Sequence, residues 1–194
     1  LGVIIERADG SVQIVRHGAR PESLARITGL GDLSHATVAF SRDQRWAYVF
    51  GRDGGLTRID IPNQRIDKRI IQGGNSIGGA ISQDGSLIAV GNYEPGGVRV
   101  FDAATLEQVA DVTGTPIAPD PEHPEQRFSR TVGVADAPGQ QFVFSLFDTG
   151  EIWRLDLADR AQPLLHKYTG IGQQPYDGMI TADGRYYLAG LFGE

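Results

Sequence analysis

The segment AISQDGSLIAVGNYEPGGVRVFD (residues 80–102) shows the pattern that predicts the fold of this chain. A short apolar stretch leads into a polar turn at Asp84 and Gly85, and a second apolar stretch, LIAV, follows it. A glycine-containing loop then leads to a third stretch, which closes at Asp102. Short apolar runs between turn residues are typical of β-strands. The same order of strands recurs in three further segments: AFSRDQRWAYVFGRDGGLTRIDI (39–61), VADAPGQQFVFSLFDTGEIWRLDL (134–157) and MITADGRYYLAGLFGE (179–194).

A fourth strand is predicted after each of the first three units, in RIDKRIIQ, LEQVADV and PLLHKY. Units of four short strands that recur about every 40 to 55 residues are typical of β-propeller blades. The longest interval contains GTPIAPDPEHPEQRF (114–128), whose prolines and charges indicate a loop insertion. A β-sandwich, the alternative all-β fold, gives no reason for internal repetition. We therefore predict an all-β fold, a β-propeller of four-stranded antiparallel blades.

The repeats predict about four blades in a single partial propeller domain, residues 1–194. The N-terminal stretch LGVIIERADGSVQIVRHGARPESLARI would supply the outer strands of a preceding blade. Closed rings usually use more blades than this, and an open half-ring would leave unpaired sheet edges and a bare blade face. We therefore expect a fragment of a longer ring, or a homodimer in which two copies complete one another.

Bulk composition excludes several classes of function. Of the 194 residues, 40% are hydrophobic and 22% charged, as in soluble globular proteins. A net charge of −6 argues against nucleic acid as a partner, because nonspecific DNA or RNA binding needs a basic surface. The chain has no cysteine, which excludes disulfides, thiolate metal sites and cysteine nucleophiles. No run approaches the roughly 20 apolar residues of a membrane span, so we predict none.

Propeller geometry predicts which side chains share one face of the disc. In a four-stranded blade, the loop before strand one and the loop between strands two and three lie on the same face. The residues assigned to this face are His35, Asn75, Ser76, Arg130, Tyr176, Asp177, Arg52, Asp53, Asn92, Tyr93, Glu94, Asp148 and Phe192. Arginines bind carboxylates through forked hydrogen bonds, aromatic rings pack on a plane, and histidine binds metal or moves a proton. This composition suits a flat, polyanionic ligand.

Several of these residues also have a purely structural interpretation. A lone histidine at a strand end, such as His35, is more often a partly solvated residue than a ligand. Arg52 and Asp53 would then form a surface ion pair of little weight. GGNSIGG (73–79) does not lie between a strand and a helix, which disfavours a dinucleotide site. His123 stays open, since its insertion could fold over the mouth. The remaining recurrent aspartates are interpreted as turn or cap residues: Asp43, Asp84 and Asp183 in the first turns, and Asp60, Asp102 and Asp156 at the third strands.

Several of these stretches together resemble the family of d1-haem propellers. The resemblance rests on SHATVAFSRDQRWAYVFGRDGGLTRIDI, GGNSIGGAISQDG, NYEPGGVRVFDA, HPEQR, FVFSLFDTGEIW and PYDGMITADGRYYLAG, and so extends over nearly the whole chain. The family includes the haem-binding domains of cytochrome cd1 nitrite reductases and a protein of haem d1 biosynthesis, to which this chain is more similar. It implies an eight-bladed ring of about twice this length.

The resemblance also implies roles for single residues. His35 matches the position of the axial iron ligand, and Arg52 matches an arginine that holds haem carboxylates. Where the nitrite reductases carry a distal histidine before an Asp-Gly pair, this chain has Tyr176 before Asp177. That departure, together with the absence of a CxxCH haem-attachment motif, argues against a nitrite reductase and favours a biosynthetic or ligand-holding role.

We therefore expect a haem d1 biosynthesis protein that binds a late iron tetrapyrrole, either haem d1 or a dihydro or other precursor form, and takes part in its conversion. The residues assigned to catalysis are His35, Tyr176 and Asp177. Those assigned to the ligand are His35, also the metal ligand, with Arg52, Asn75, Tyr93, Arg130 and Asp148. The alternative is a non-catalytic carrier or scaffold that delivers haem d1 to nitrite reductase. A third hypothesis, a protein-interaction propeller, predicts no tetrapyrrole binding.

Partners and location follow from the resemblance alone. It implies other d1-haem biosynthesis proteins and the nitrite reductase of denitrification as partners. The chain begins LGVIIERADG, without an initiator Met or a basic leader, so any targeting peptide is removed or lies outside this sequence. The family implies a periplasmic protein, in some members lipid-anchored at full length.

Overall fold

The structure, a computed structural model, describes residues 1–122 and 124–193. His123, whose role the sequence does not decide, lies outside the described residues. The strands are β1 (Gly2–Glu6), β2 (Ser11–Arg16), β3 (Glu22–Ile27), β4 (Thr37–Phe40), β5 (Trp46–Phe50), β6 (Gly55–Asp60), β7 (Arg65–Ile71), β8 (Asn75–Ile81), β9 (Leu87–Glu94), β10 (Gly97–Asp102), β11 (Gln108–Val112), β12 (Pro116–Ile117), β13 (Arg127–Phe128), β14 (Thr131–Ala137), β15 (Gln141–Leu146), β16 (Glu151–Asp156), β17 (Leu164–Tyr168), β18 (Pro175–Ile180) and β19 (Tyr187–Leu191). A short 3₁₀ turn, Arg7–Asp9, joins β1 to β2.

The strands form a series of antiparallel meanders. Three sheets contain four strands in chain order, β4–β7, β8–β11 and β14–β17. A three-stranded sheet, β1–β3, precedes them, and the pair β18–β19 follows. The first strands lie side by side, with β8 against β4 and β14, and β14 against β18. Successive sheets that share an inner row of first strands form a β-propeller, so the predicted fold class is confirmed.

The core lies between neighbouring sheets, and the second strands are buried on both faces. In β5, Val49 packs with Ile14 of β2, whereas Phe50 packs on the opposite side with Val90 of β9. The next interface joins β9 and β10 to β15 and β16 through Leu87, Ala89, Val98, Val100, Phe142, Phe144 and Trp153. Burial on both faces explains why WAYVF and FVFSLF lack a polar side. It also excludes a two-sheet sandwich.

The recurrent aspartates serve the turns, as predicted. Asp43 Oδ1 accepts hydrogen bonds from the Ser41 hydroxyl at 2.6 Å and the Arg45 backbone N–H at 3.1 Å. Asp84 and Asp183 do the same in their own turns. Asp60, Asp102 and Asp156 accept backbone N–H groups just beyond the third strands. These carboxylates stabilise local backbone and belong to the fold.

Candidate functional site

A cavity of about 750 Å³ opens where loops of three sheets meet the insertion. Its lining is Arg52, Asn75, Tyr93, Glu94, Pro95, Ile117, Glu125, Gln126, Arg127, Phe128, Arg130 and Asp148. Five of the eight site residues predicted from sequence are among them. The volume is within the roughly 300 to 1,000 Å³ typical of small-molecule sites. The blade geometry therefore gathers residues far apart in sequence around one space.

Arg52 is fixed by its backbone between two sheets. Its N–H donates to the carbonyl oxygen of Asp32 at 2.8 Å, and its own carbonyl accepts from the N–H of Ser76 at 3.2 Å. The neighbouring Asp53 does not pair with it, because Asp53 binds Arg69 at 2.6 Å. The interpretation of Arg52 and Asp53 as a surface ion pair is therefore wrong. Within the described ranges Arg52 makes no ion pair, which leaves its charge available to a ligand.

Two guanidinium groups approach the ring of Tyr93. The guanidinium carbon of Arg52 is 4.9 Å from the centre of the ring, and that of Arg130 is 5.4 Å from it. Cations within about 6 Å of an aromatic face are attracted by the ring quadrupole. Burial raises the pKa of the Tyr93 phenol, and the neighbouring Tyr176 hydroxyl raises it further. Tyr93 is therefore a neutral aromatic surface at physiological pH.

Arg130 and Asp148 bind each other. Arg130 Nη2 lies 2.5 Å from Asp148 Oδ1, and Nε lies 3.0 Å from Oδ2. The backbone N–H of Arg130 also donates to Oδ2 at 2.8 Å. These hydrogen bonds raise the pKa of Arg130. The forked pair holds the guanidinium 4.7 Å from the centre of the Phe147 ring and neutralises its charge internally.

Two polar atoms of residues that line the cavity are buried without a hydrogen-bond partner. They are Asn75 Oδ1, at the start of β8, and Arg127 Nε, at the start of β13. Buried polar groups in folded proteins are almost always hydrogen-bonded, and leaving one unpaired costs about 1 to 3 kcal/mol. An acidic ligand would supply an acceptor for the arginine. The unpaired donor of Arg127, the available charge of Arg52 and the aromatic surface of Tyr93 fit a planar tetrapyrrole with acid side chains.

Aromatic rings continue beyond the cavity lining. The centres of the Phe147 and Tyr176 rings are 5.9 Å apart, and those of Tyr176 and Phe192 are 5.4 Å apart. Tyr176 thus joins the group through both Tyr93 and Phe147. Phe147 was not among the residues predicted from sequence. The sequence feature that could have identified it is its position next to Asp148, in the loop between the second and third strands.

His35 and Asp177 lie outside the cavity lining. His35 is exposed in the turn that precedes β4, and Asp177 is exposed on β18. The turn that carries His35 is nevertheless attached to the loop of Arg52, since Asp32 accepts from the backbone N–H groups of both Ser34 and Arg52. The turn of His35 therefore lies beside the loop of Arg52. In the described part of the chain, no three His, Cys, Asp or Glu side chains are grouped to hold a metal ion.

The insertion contributes more to the site than the sequence indicated. Its hairpin, β12 and β13, is joined by hydrogen bonds between Pro116–Ile117 and Arg127–Phe128. It supplies nearly half of the lining: Ile117, Glu125, Gln126, Arg127 and Phe128. Proline and charge predicted a loop that could fold over the mouth, and they did not predict the strand that lines the cavity.

Sequence comparisons with known proteins identify one family. The family model described as Cytochrome D1 heme domain matches residues 1–194. Protein NirF of Stutzerimonas stutzeri is 62% identical over 194 residues, which are all of this chain and 48% of that protein. Protein NirF of Pseudomonas aeruginosa is 65% identical with the same coverage. The chain spans about half the length of these curated relatives.

Less similar proteins also match this chain. The dihydro-heme d1 dehydrogenase of Pseudomonas aeruginosa is 32% identical over 189 residues, 97% of this chain and 36% of that protein. A solved structure of dihydro-heme d1 dehydrogenase NirN in complex with DHE matches with a TM-score of 0.80, at 29% identity over 98% of this chain and 39% of that one. A chain of the mitotic checkpoint complex, 13% identical, has a TM-score of 0.71 and shows a likeness of fold alone.

Proposed function

The chain belongs to the Cytochrome D1 heme domain family, and from this we propose that it acts in haem d1 biosynthesis by binding a late iron tetrapyrrole in the cavity beside Tyr93. The high identity to two NirF proteins supports the biosynthetic role. The observation that carries the binding proposal is the arrangement of Arg52, which has no ion-pair partner in the described structure, over the face of Tyr93.

Each residue has a distinct part in this proposal. Arg52 pairs with an acid side chain of the ligand, because a guanidinium binds a carboxylate through two parallel hydrogen bonds. Tyr93 packs against the macrocycle, and Asn75 faces its edge. His35, on the loop attached to Arg52, ligates the iron or exchanges a proton with a ligand side chain. Tyr176 supports the aromatic group from β18.

Two versions of this function differ in whether chemistry occurs. The name of the related dihydro-heme d1 dehydrogenase supports an enzyme that converts a dihydro precursor. The pairing of Asp148 with Arg130 supports a carrier, because it leaves this carboxylate without a free charge for proton transfer. We take conversion of the precursor as the first candidate and carriage as the second.

One incubation separates these versions. The full-length protein is mixed with dihydro-haem d1, and the tetrapyrrole is followed by visible absorbance and mass spectrometry. A spectral shift on mixing is expected in both cases. The mixture includes a one-electron acceptor, which takes the two electrons released when a dehydrogenation removes two hydrogens from the tetrapyrrole. A change in tetrapyrrole mass beyond that of a protein-free control identifies an enzyme, and an unchanged mass identifies a carrier. A protein that causes no spectral shift at micromolar concentrations does not bind the ligand, and the proposal is then wrong.

The cellular setting is part of the proposal. A periplasmic location, with nitrite reductase and other d1-haem biosynthesis proteins as partners, suits a protein that supplies this cofactor. No helix in the described ranges combines the length and apolar character needed to cross a bilayer. Cell fractionation tests the location, and light scattering of the full-length protein shows whether it forms a homodimer.

A further inference from the structure

Three arginines line the cavity, and their partners differ. Arg130 is bound by Asp148 through a forked pair, so its charge is neutralised within the protein. Arg52 makes no ion pair within the described chain and packs on Tyr93. The third, Arg127, comes from the insertion hairpin. The number of guanidinium groups available to a ligand therefore depends on how Arg127 is held.

Arg127 is held loosely. Its Nη2 lies 2.6 Å from Oδ2 of Asp120 on the same hairpin, and the two side chains are 36% and 45% exposed. Exposed ion pairs of this kind contribute little to stability. The Nε–H of Arg127 is buried and has no acceptor. A guanidinium with one exposed partner and one unpaired buried donor is poorly satisfied by the protein alone.

We propose that Arg127 is a second carboxylate-binding residue of this cavity, so that the site recognises a tetrapyrrole by acid groups at two places, one at Arg52 and one at Arg127. This inference rests on the proposed function. A ligand carboxylate that binds the guanidinium of Arg127 gives its unpaired donor an acceptor. Arg130 keeps its internal partner and orients Tyr93.

The acidic residues of the lining strengthen the dependence on Arg127. The cations are Arg52, Arg127 and Arg130, and the anions are Glu94, Glu125 and Asp148. The two sets balance, so the loss of one arginine leaves an acidic excess around the ligand. An acidic ligand would then meet repulsion as well as a missing hydrogen bond. Arg127 should therefore affect an acidic ligand far more than a neutral one.

The test is a titration of the full-length protein with haem d1, followed by visible absorbance, and a parallel titration with haem d1 whose carboxylates are methyl esters. Arg127→Gln should weaken haem d1 binding about 10- to 100-fold, the effect of one charge-assisted hydrogen bond. It should leave binding of the ester unchanged. The matched control is Arg16→Gln, an exposed arginine on β2 paired with Glu22, which should alter neither titration.

Two further variants separate ligand binding from a structural role. Asp120→Asn removes the internal partner of Arg127 and should bind haem d1 at least as tightly as the parent protein. Arg127→Lys keeps the charge without the fork and should give an intermediate loss. If Asp120→Asn weakens binding as much as Arg127→Gln, the hairpin ion pair is what matters and the inference is wrong.

The outcomes also distinguish this inference from the proposed function. A parent protein that does not bind haem d1 overturns the proposed function and this inference with it. If the parent protein and Arg127→Gln bind haem d1 equally tightly, only the role of Arg127 is overturned. An equal loss with haem d1 and with its ester has the same consequence, because Arg127 then does not recognise the acid groups.

Discussion

The guanidinium carbon of Arg52 lies 4.9 Å from the centre of the Tyr93 ring, which joins the loop after β5 to the end of β9. The two residues belong to different sheets and are far apart in sequence. Their contact places a cation and an aromatic face at the same wall of the cavity. Arg130, from a third sheet, approaches the same ring at 5.4 Å.

Replacement of Tyr93 should affect ligand binding through the ring rather than the hydroxyl. We expect Tyr93→Leu to weaken haem d1 binding about 10-fold, since it removes the stacking surface and releases Arg52 and Arg130. Tyr93→Phe keeps the ring and should stay within about 3-fold of the parent protein. Absorbance titration measures both. Equal losses for the two variants would assign the effect to the hydroxyl instead.

His35 should be visible in the spectrum of the bound tetrapyrrole. If His35 ligates the iron, His35→Ala changes the absorption maxima of bound haem d1, because the axial ligand sets the electronic state of the iron. His17, another exposed histidine, lies outside the predicted face, so His17→Ala is the control. Identical spectra for His35→Ala and the parent protein would remove the role of iron ligand and leave only proton exchange.

Gly54 should be far less tolerant of substitution than Gly29, although both have left-handed backbones. A Cβ on Gly54, where φ is +77°, would lie 2.0 Å from the carbonyl oxygen of Gly73. At Gly29, with φ of +85°, a Cβ would meet nothing within 4 Å. We expect Gly29→Ala to cost about 1 to 2 kcal/mol from backbone strain alone, and Gly54→Ala about 3 kcal/mol or more.

Urea unfolding of the full-length protein measures both glycine variants. Because Gly54 follows Arg52 in the same loop, Gly54→Ala should also weaken haem d1 binding, whereas Gly29→Ala should not. Similar unfolding free energies for the two variants would show that the loop adjusts to the added methyl group.

Asp84 should make stability depend on pH in the acid range. Burial opposes ionisation of Asp84, but hydrogen bonds from Ser82, Ser86 and Gln140 outweigh it and hold the pKa well below the ordinary 3.8. A pKa lowered in the folded state stabilises the fold above the unfolded value, and this contribution is lost as pH falls through the folded value. The contact with Gln140, 2.6 Å long, crosses to the next sheet.

We therefore expect Asp84→Asn to lower the free energy of unfolding at neutral pH by about 1 kcal/mol. The difference from the parent protein should shrink as the pH falls below about 4. Urea unfolding at a series of pH values measures it. Asp159→Asn, in an exposed turn, is the comparison. A difference that stays constant from neutral to acid pH would show that ionisation of Asp84 does not stabilise the fold.

The architecture could be predicted from sequence because it depends on short-range patterns. A polar turn that contains Asp or Gly and apolar runs like those around Val49 and Phe144 recur along the chain, and three of the units fold into the same four-stranded meander. The face that carries Arg52, Tyr93 and Arg130 follows from strand order alone. These features require no knowledge of particular side-chain contacts.

Side-chain partnerships could not be predicted in the same way. Asp53 is adjacent to Arg52 in sequence, yet it binds Arg69 on β7, because the turn directs neighbouring side chains to different sides. The short strand that places Arg127 at the cavity consists of two residues in a proline-rich insertion, too short for any periodic pattern. Charge pairing across loops depends on the folded arrangement, which the spacing of residues does not encode.

The cavity takes its walls from three sheets that touch chiefly through apolar side chains, with Arg52, Tyr93 and Asp148 each contributed by a different one. A ligand that contacts all three sheets would hold them together and oppose the separation of one blade from the next. Ligand binding would then also stabilise the contacts between blades. The protein with bound ligand should therefore melt at a higher temperature than the protein without it.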